Sequence, residues 1–510
     1  MKLFPYKASI AAAAVILTAA CQISSGPEEL KEEPRPNIIY IYADDLGYNE
    51  VGSYGQAKIR TPNLDRLAAE GIRFTQHYSG SAVCAPSRSV LLTGKHTGHA
   101  YIRNNKELGG WGPEEPEGQW PLAAEEVTLA EILKQHGYAT GAMGKWGLGG
   151  PDAHGRPNLQ GFDHFYGYLC QRVAHNYYPT HLWRNDEKDM LAGNEYFDAH
   201  QKIETPFQDR ADYERFKGTT YAPDAIATEA LQFIRDHAEE PFFLYYPTIV
   251  PHVALQVPND SLAEYEGIFE DPPYLGDQSY LPHPEPRAAY AAMITRMDRN
   301  VGHILDLIVE LDIDNDTIVM FSSDNGPTWV GGSDLEFFDG NGPFRGRKQQ
   351  LFEGGIRVPM IARWPGHISA GKVTDHLSAQ WDVLPTVLEL VGAAETIPTN
   401  IDGISFAPTL LAEGSQATHD VMYWELGRQQ AVRAGNWKLY RSGNADGEID
   451  TVELFNLYDD PSETTNLAAE RLDVLNEMLE LAQRSRTPSA LFPSVFDSET
   501  GVVPGGEPLQ

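Results

Sequence analysis

Residues 36–45 read Pro-Asn-Ile-Ile-Tyr-Ile-Tyr-Ala-Asp-Asp, a β-branched and aromatic run that ends in two adjacent acids. This composition predicts a buried strand that carries both carboxylates at its carboxyl end. Residues 317–326 repeat the arrangement, because the predicted strand Thr-Ile-Val-Met-Phe, residues 317–321, is followed by Ser-Ser-Asp-Asn-Gly, residues 322–326. In open α/β sheets the ligand-binding edge lies at the carboxyl ends of the strands. We therefore expect the two acidic strand ends to meet.

The side chains at these strand ends favour a metal site. Asp44, Asp45, Asp324 and Asn325 offer three carboxylates and one amide oxygen, which suit a hard cation such as calcium or magnesium. Taken singly, each dipeptide also fits an ordinary solvated turn. Their joint occurrence after two strands is harder to explain in that way.

A third informative run, residues 84–94, reads Cys-Ala-Pro-Ser-Arg-Ser-Val-Leu-Leu-Thr-Gly and predicts a helix. Pro86 suits the first turn, and Gly94 suits the left-handed residue that ends a helix. Cys84 would then lie at the helix N-terminus, where free N–H groups and the helix dipole favour an anion. Arg88 adds a positive charge one turn later. The run fits a sulfate or phosphate site, and an ordinary capped helix is the alternative.

Basic residues follow two other predicted strands and fill one later segment. Residues 138–143 lead into Gly-Lys-Trp-Gly with Lys145 as its lysine, and residues 241–246 lead through a loop to His252. A lone lysine or histidine after a strand is more often a surface residue than a functional one. Residues 344–359 include Arg345 and Lys348, and such a basic segment is unusual in so acidic a chain.

Together these segments resemble the signatures of the type I sulfatases, arylsulfatase-like enzymes of the alkaline phosphatase superfamily. In that family a maturation enzyme oxidises the cysteine of Cys-x-Pro-Ser-Arg to formylglycine, an aldehyde whose hydrate attacks sulfur. The resemblance implies a sulfate ester hydrolase with formylglycine at Cys84 and with Arg88, Lys145, His252 and Lys348 as further catalytic residues. It also implies that calcium is bound by Asp44, Asp45, Asp324, Asn325 and the modified Cys84.

One position departs from the resemblance. Most relatives have a histidine after Gly-Lys-Trp, whereas this chain has Gly147. His96, His99 and His175 are the candidates to replace it; His99 and His175, with Arg345, are also the expected substrate contacts. Two alternative functions stay open: a phosphonate monoester hydrolase or phosphodiesterase of the same superfamily, and a lipoprotein that binds sulfated glycans without cutting them.

Composition restricts the partners. The 510 residues include 39 basic and 72 acidic side chains, for a net charge of −33. This balance argues against a nucleic-acid partner. Residues 177–184, Tyr-Tyr-Pro-Thr-His-Leu-Trp-Arg, carry rings that can stack on sugars, so the expected substrate is a sulfated polysaccharide or its oligosaccharides.

The first residues indicate export. Within residues 1–20 two lysines precede an apolar stretch that is too short to span a membrane, as in a signal peptide. Residues 17–21, Leu-Thr-Ala-Ala-Cys, resemble a bacterial lipobox, so Cys21 is the expected lipid anchor and residues 21–35 its tether. The expected location is the cell envelope, periplasm or outer membrane, with membrane contact by the anchor only; secretion is the alternative. Only Cys170 is then left over, so we expect no disulfide.

From residue 36 onward strands alternate with helices, which predicts an α/β fold with a sheet covered by helices. The resemblance adds that this sheet is alkaline-phosphatase-like and that residues 36–414 form the catalytic domain. Residues 415–510 are expected to form a smaller α+β subdomain, an antiparallel sheet with one helix. The predicted helices are residues 61–70, 128–136, 288–311, 382–392 and 471–483, and the predicted C-terminal strands are residues 421–426, 437–440 and 452–458.

Overall fold

The structure is a computed structural model that describes residues 1–3, 5, 35–112, 115 and 117–497. Almost all of the predicted signal peptide and tether, including Cys21, lies outside the described residues. Among the helices of the described part, none is long and apolar enough to cross a membrane. The two predicted domains fall within a single unit that begins at Arg35.

The strands of the described residues belong to one large sheet, one four-stranded sheet and two small pairs. In chain order they are β1 Asn37–Ala43, β2 Ile72–Phe74, β3 His77–Tyr78, β4 Glu107–Gly109, β5 Gly118–Gln119, β6 Ala139–Lys145, β7 His164–Tyr168, β8 His181–Arg184, β9 Glu187–Met190, β10 Phe242–Pro247, β11 Thr317–Ser323, β12 Met360–Arg363, β13 Lys372–Thr374, β14 Ser378–Ala379, β15 Met422–Leu426, β16 Gln429–Ala434, β17 Trp437–Gly443 and β18 Ile449–Asn456.

The predicted helices are present within one or two residues of their expected bounds. In chain order the α-helices are α1 Pro62–Glu70, α2 Cys84–Thr93, α3 Leu129–Gln135, α4 Ala222–Asp236, α5 Asn259–Leu262, α6 Pro286–Glu310, α7 Leu335–Phe338, α8 Glu353–Ile356, α9 Val383–Leu390, α10 Ala407–Leu411 and α11 Leu472–Arg484. Thr128 caps α3 in a capping box with Glu131. Thr61, which precedes α1, forms no side-chain cap bond to the helix and accepts a hydrogen bond from the Gly52 N–H.

The large sheet has ten strands in the order β13-β2-β12-β11-β1-β10-β6-β7-β8-β9, and β1 is parallel to both of its neighbours, β10 and β11. Helices cover both faces of this sheet. Successive side chains of β1 point to opposite faces and pack in two different cores, each of which contains helices. Ile39 and Ile41 pack in the core that contains α1, α4 and α6. Tyr40 and Tyr42 pack in the core that contains α2, α3 and α9. The predicted α/β sheet sandwiched by helices is confirmed.

The C-terminal part is a four-stranded antiparallel sheet with the order β15-β16-β17-β18. One face packs on α11 through Leu439 and Leu481. The other face packs through Trp424 and Phe455 against Tyr78 and Val83, next to the start of α2. The predicted antiparallel sheet with one helix is therefore confirmed, although β16 was not predicted, since Gln429–Ala434 includes two glutamines and an arginine.

Candidate active site

The two acidic strand ends lie side by side. Strands β1 and β11 pair in parallel up to Ala43 and Ser323, so the residues that follow emerge together. The Asp45 N–H donates to Asp324 Oδ1 at 3.0 Å, and Asn325 Nδ2 donates to Asp45 Oδ1 at 2.8 Å. Both acids and the asparagine are fully buried. The strand pairing thus brings together side chains that are about 280 residues apart in sequence.

These residues fit a hard cation. Asp44, Asp45, Cys84 and His252 each offer one ligand atom, and these atoms lie within 4.8 Å of one another. The Oδ1 atom of Asn325 is buried and accepts no hydrogen bond from the described residues. A buried amide oxygen without a donor is costly unless another group binds it. Calcium prefers carboxylate and amide oxygens, which Asp44, Asp45 and Asn325 supply here.

Cys84 is the first residue of α2, at the end of the helix where N–H groups are free. Its Sγ lies 3.4 Å from Asp44 Oδ1 and 4.0 Å from Asp45 Oδ1. Burial, and then the charge of Asp44, raise the pKa of the Cys84 thiol well above its usual value. The unmodified side chain is therefore a protonated thiol at neutral pH, which is a poor nucleophile.

Three cationic side chains surround Cys84 and the acids. Arg88, on the next turn of α2, donates to Asp324 Oδ2 at 2.8 Å and to the Lys145 carbonyl at 2.6 Å. Lys145, the last residue of β6, donates to Asp44 Oδ2 at 2.6 Å. Lys348 donates to Asp45 Oδ2 at 2.7 Å. All three predicted basic residues therefore converge on the strand-end carboxylates.

The cluster contains three buried acids and three basic side chains, which lie close enough to shift one another's pKa values. Burial would raise the pKa of the Asp44 carboxyl, but Lys145, His252 and Arg88 hold it well below its usual range. Burial and the like charge of Asp44 raise the pKa of Asp324 to about 7. A divalent cation among the acids would relieve their mutual repulsion.

His252 lies in the loop after β10, with Nε2 3.7 Å from Asp45 Oδ2. Its Nδ1 donates to the Val253 carbonyl at 2.5 Å, which directs Nε2 toward the cluster. Burial and the charge of Lys348 lower the pKa of His252 to about 4. The ring stacks on His175, with centroids 4.6 Å apart and planes at 12°. The structure thus places His175 directly against a residue of the cluster.

Gly147, the residue at which most relatives have a histidine, lies beside the Gln171 side chain. Gly147 has φ +77°, and a Cβ at this position would come within 2.9 Å of Gln171 Cγ. A side chain at residue 147 would be strained in this backbone. The Gln171 amide is buried beside it, and within the described residues neither its oxygen nor its nitrogen has a hydrogen-bond partner.

Two predicted substrate contacts lie elsewhere. His99 contacts Asp402 Oδ1 through Nδ1 at 2.8 Å and stacks on His96. Arg345 donates to the Glu463 carbonyl at 3.0 Å and lies over the Phe352 ring. No contact between either residue and Cys84 is present among the described residues. Their roles in substrate binding stay predictions.

The aromatic loop expected to stack on sugars is largely internal. Tyr177 and Tyr178 are buried in the core that contains α4 and α6, and Trp183 is buried in the core on the other face. The Tyr177 hydroxyl donates to the Ile249 carbonyl at 2.8 Å. The argument for a sugar platform on these rings is therefore wrong, because aromatic residues of this kind also serve as core residues.

Sequence reasoning missed several residues around the cluster. Asn105 Oδ1 accepts a hydrogen bond from the Ala85 N–H at 2.9 Å, next to Cys84. The Tyr280 ring lies 5.2 Å from His175 and 5.9 Å from His252, and His200 Nε2 lies 3.0 Å from His175 Nδ1. These residues lie in loops without a periodic pattern, so no local signal marked them.

Comparison with known proteins agrees with this geometry. Residues 36–393 match the model of the sulfatase family, and residues 343–486 match that of the N-sulphoglucosamine sulphohydrolase C-terminal region. Arylsulfatase A of Bos taurus is 31% identical over 91% of this chain and 88% of its own. N-acetylgalactosamine-6-sulfatase of Homo sapiens is 32% identical over 79% of this chain and 71% of its own.

Solved structures agree as well. The structure of Ps i-CgsB in complex with k-i-k-neocarrahexaose has a TM-score of 0.70 and 26% identity, over 89% of this chain and 94% of the other. The chain therefore belongs to the sulfatase family, whose members are sulfuric ester hydrolases of the alkaline phosphatase superfamily.

Proposed function

We propose that the protein removes sulfate from a sulfated oligo- or polysaccharide, using formylglycine at residue 84 and a calcium ion. The observation that carries the proposal is the convergence of Arg88, Lys145 and Lys348 on buried carboxylates beside Cys84. An anionic ester needs cations in a site that excludes water, where charge-assisted contacts are strongest. The proposed reaction also needs carboxylates that can bind calcium, and Asp44, Asp45 and Asp324 lie next to those cations.

The two lysines would change partners when the site is loaded. Each ammonium group now contacts one oxygen of Asp44 or Asp45, the acids proposed to bind calcium. Calcium would neutralise these carboxylates and supply a Lewis acid beside residue 84. Lys145 and Lys348 would then be available to bind the sulfate oxygens, which would take the place of the acids as their anionic partners. Arg88 keeps its contact with Asp324 and holds the helix N-terminus in place.

The hydrated aldehyde at residue 84 would supply the hydroxyl that attacks sulfur. Lys145 and Lys348 orient the ester and offset charge on its non-bridging oxygens. His252, held by the Val253 carbonyl through Nδ1, presents Nε2 to the site and would deliver a proton there to the leaving sugar oxygen. An anionic ester bound next to His252 would raise the pKa of this histidine, because negative charge favours the protonated ring. This effect opposes that of burial and Lys348, which lower the pKa.

The attack would leave the sulfate on residue 84, and removal of the proton from the second hydroxyl would re-form the aldehyde and expel sulfate. We assign the acceptance of that proton to His175 rather than to His99. His175 stacks on His252 and bonds to His200, whereas His99 is paired with Asp402. The test is the variant His175→Ala, with His99→Ala as the matched control. Turnover should fall more in His175→Ala than in His99→Ala, and full turnover in His175→Ala would overturn the assignment.

The relatives support a carbohydrate substrate. Two of them are N-acetylgalactosamine-6-sulfatase and a protein whose structure contains neocarrahexaose. The test is sulfate release from sulfated saccharides by the purified protein, with a phosphodiester and a phosphonate monoester as rival substrates. Faster turnover of the phosphorus esters would overturn the proposal, and so would full activity in Cys84→Ala.

For the location, we propose a lipid anchor at Cys21 in a bacterial cell envelope, based on the lipobox-like residues 17–21. A maturation enzyme of the same cell would convert Cys84. Membrane fractionation of cells that express the full chain tests the anchor. The protein should move to the soluble fraction in Cys21→Ser, and a soluble unaltered protein would overturn the proposal.

A further inference from the structure

A groove of about 780 Å³ lies beside the cluster, between loops that follow β11 and the C-terminal sheet. We call it the Arg428 groove. Its size is within the range of about 300–1,000 Å³ that is usual for small-ligand sites. The residues of its wall that matter here are Asn105, Trp329, Arg347, Lys348, Arg428 and Tyr440.

The charge of this groove is opposite to that of the protein. The chain has a net charge of −33, yet the described residues that line the groove include two arginines, one lysine and no aspartate or glutamate. A cavity of about 260 Å³ around Trp111 is lined by Glu115, Glu117 and Asp198 as well as Arg172. The absence of acids therefore distinguishes the Arg428 groove, and such a surface attracts anions.

Its two arginines have no carboxylate partner among the residues that the structure describes. Neither Arg347 nor Arg428 forms an ion pair within the described residues, whereas Arg345, on the same loop as Arg347, pairs with Glu453. The Arg347 guanidinium lies 4.4 Å from the centre of the Trp329 ring, which fixes its orientation. Its Nε is buried and has no hydrogen-bond acceptor in the described part of the chain. Such donors are suited to a carboxylate or sulfate supplied by a ligand.

The groove is continuous with the active site. Lys348 lines it and also donates to Asp45 Oδ2. Asn105 lines it and accepts the hydrogen bond from the Ala85 N–H, one residue after Cys84. A sugar whose sulfate ester reached Cys84 would therefore have its next neighbour in the groove.

The far wall is held rigidly by the C-terminal sheet. Gln429 Nε2, at the start of β16, donates to the Gln349 carbonyl at 2.8 Å. The Tyr440 ring of β17 stacks on Phe352, with centroids 4.1 Å apart. These contacts fix the loop of Arg428 against the segment that carries Lys348. A preformed wall loses little entropy when a ligand binds.

We propose that the Arg428 groove binds a second anionic sugar unit, adjacent to the one that loses its sulfate, through a carboxylate or sulfate group on that unit. This inference rests on the proposed function and specifies its substrate as an anionic oligosaccharide of at least two units. Arg347 and Arg428 bind the second anion, and Trp329 and Tyr440 provide apolar surface for the ring. A sulfated monosaccharide would leave both arginines without a partner.

Binding by the Cys84→Ala protein, measured by calorimetry, tests the groove without turnover. The monosaccharide probe is N-acetylgalactosamine 6-sulfate. The two tetrasaccharide probes are chondroitin sulfate, which carries carboxylates as well as sulfates, and carrageenan, which carries only sulfates. We expect at least one tetrasaccharide to bind about tenfold or more tightly than the monosaccharide, the gain of one or two charge-assisted contacts. Arg428→Gln should remove most of this gain.

The matched control is Arg235→Gln, since Arg235 is exposed on α4 and forms no ion pair in the described residues. It should keep the full preference for the tetrasaccharide. Equal affinity for monosaccharide and tetrasaccharides would overturn the proposal, and so would a preference that survives Arg428→Gln. Sulfate release is measured separately, so a failure of the proposed function is distinguished from a failure of the groove.

Discussion

The proposed calcium site gives a prediction that can be worked out in numbers. Asp324 Oδ1 accepts the Asp45 N–H at 3.0 Å, and its Oδ2 accepts from Arg88 at 2.8 Å. Asp324→Asn keeps the shape and the Oδ1 acceptor but removes the negative charge. In the variant, Nδ2 replaces Oδ2 and cannot accept from Arg88, so the chelated variant should already be less stable, and the quantity to compare is the stabilisation that calcium adds.

Calcium affinity depends on the number of charged ligands, so we expect the variant to bind calcium roughly a hundredfold more weakly. At a calcium concentration about 100 times the dissociation constant of the unaltered protein, calcium stabilises that protein by about 2.7 kcal/mol. The same concentration would stabilise the variant by only about 0.4 kcal/mol. The assay is thermal unfolding of the chelated protein during a calcium titration.

Asp316→Asn is the matched control, because Asp316 is exposed at the other end of the same strand, before β11. It should keep the full calcium-dependent rise in melting temperature. A rise in Asp324→Asn as large as that of the unaltered protein would refute the assignment of this carboxylate as a ligand. A protein whose melting temperature does not respond to calcium at all would refute the site.

Three further predictions concern proton transfer and the buried charges behind the site. His252→Ala should lower turnover of a sugar sulfate about 10²-fold more than that of nitrophenyl sulfate, because the poorer leaving group needs the acid. Lys438 is fully buried between Glu353 and Glu463, so Lys438→Met should lower the free energy of unfolding by about 3–5 kcal/mol. Burial raises the pKa of Glu463 to about 7, so its contribution to stability is lost as the pH rises to that value. As the pH rises from about 5 to about 8, the melting temperature of Glu463→Gln should therefore fall less than that of the unaltered protein.

These predictions have controls in the same chain. Exposed Lys202 and Glu239 serve as sites for Lys202→Met and Glu239→Gln, which should leave stability and its pH dependence unchanged. Equal losses on both sulfate esters would make His252 a binding residue instead of an acid. Unaltered stability in Lys438→Met would mean that the two glutamates need no counterion. An unchanged pH profile in Glu463→Gln would place the titrating group elsewhere.

The strand ends were predictable because their signals are local. The runs of residues 38–43 and 318–321 are apolar, acids follow the first at once and the second after two serines, and parallel pairing carries those acids to one edge. The helix at Cys84 was predictable for the same reason, since Gly94 ends it at φ +70° as expected. The proposed roles of Lys145, Lys348 and His252 required the family resemblance, because single basic residues after strands carry little information.

The remaining features depend on tertiary packing. The expected sugar platform failed because Tyr177 and Tyr178 are core residues, and their sequence pattern does not separate a buried ring from an exposed one. The Arg428 groove combines residues 105, 329, 347, 428 and 440, which no periodicity connects. Likewise, the Gln171 amide, which has no hydrogen-bond partner in the described part of the chain, lies beside Gly147 only because of the backbone path around that glycine.

The central claim is that residue 84 acts as formylglycine in sulfate ester hydrolysis. The most direct measurement is peptide mass spectrometry of residue 84 on the same preparations whose rate of sulfate release is determined, with and without co-expression of a maturation enzyme. The account predicts that the rate rises in proportion to the fraction of Cys84 converted to the aldehyde and that Cys84→Ala releases no sulfate. Full sulfate release by protein that carries only the unmodified thiol would contradict it.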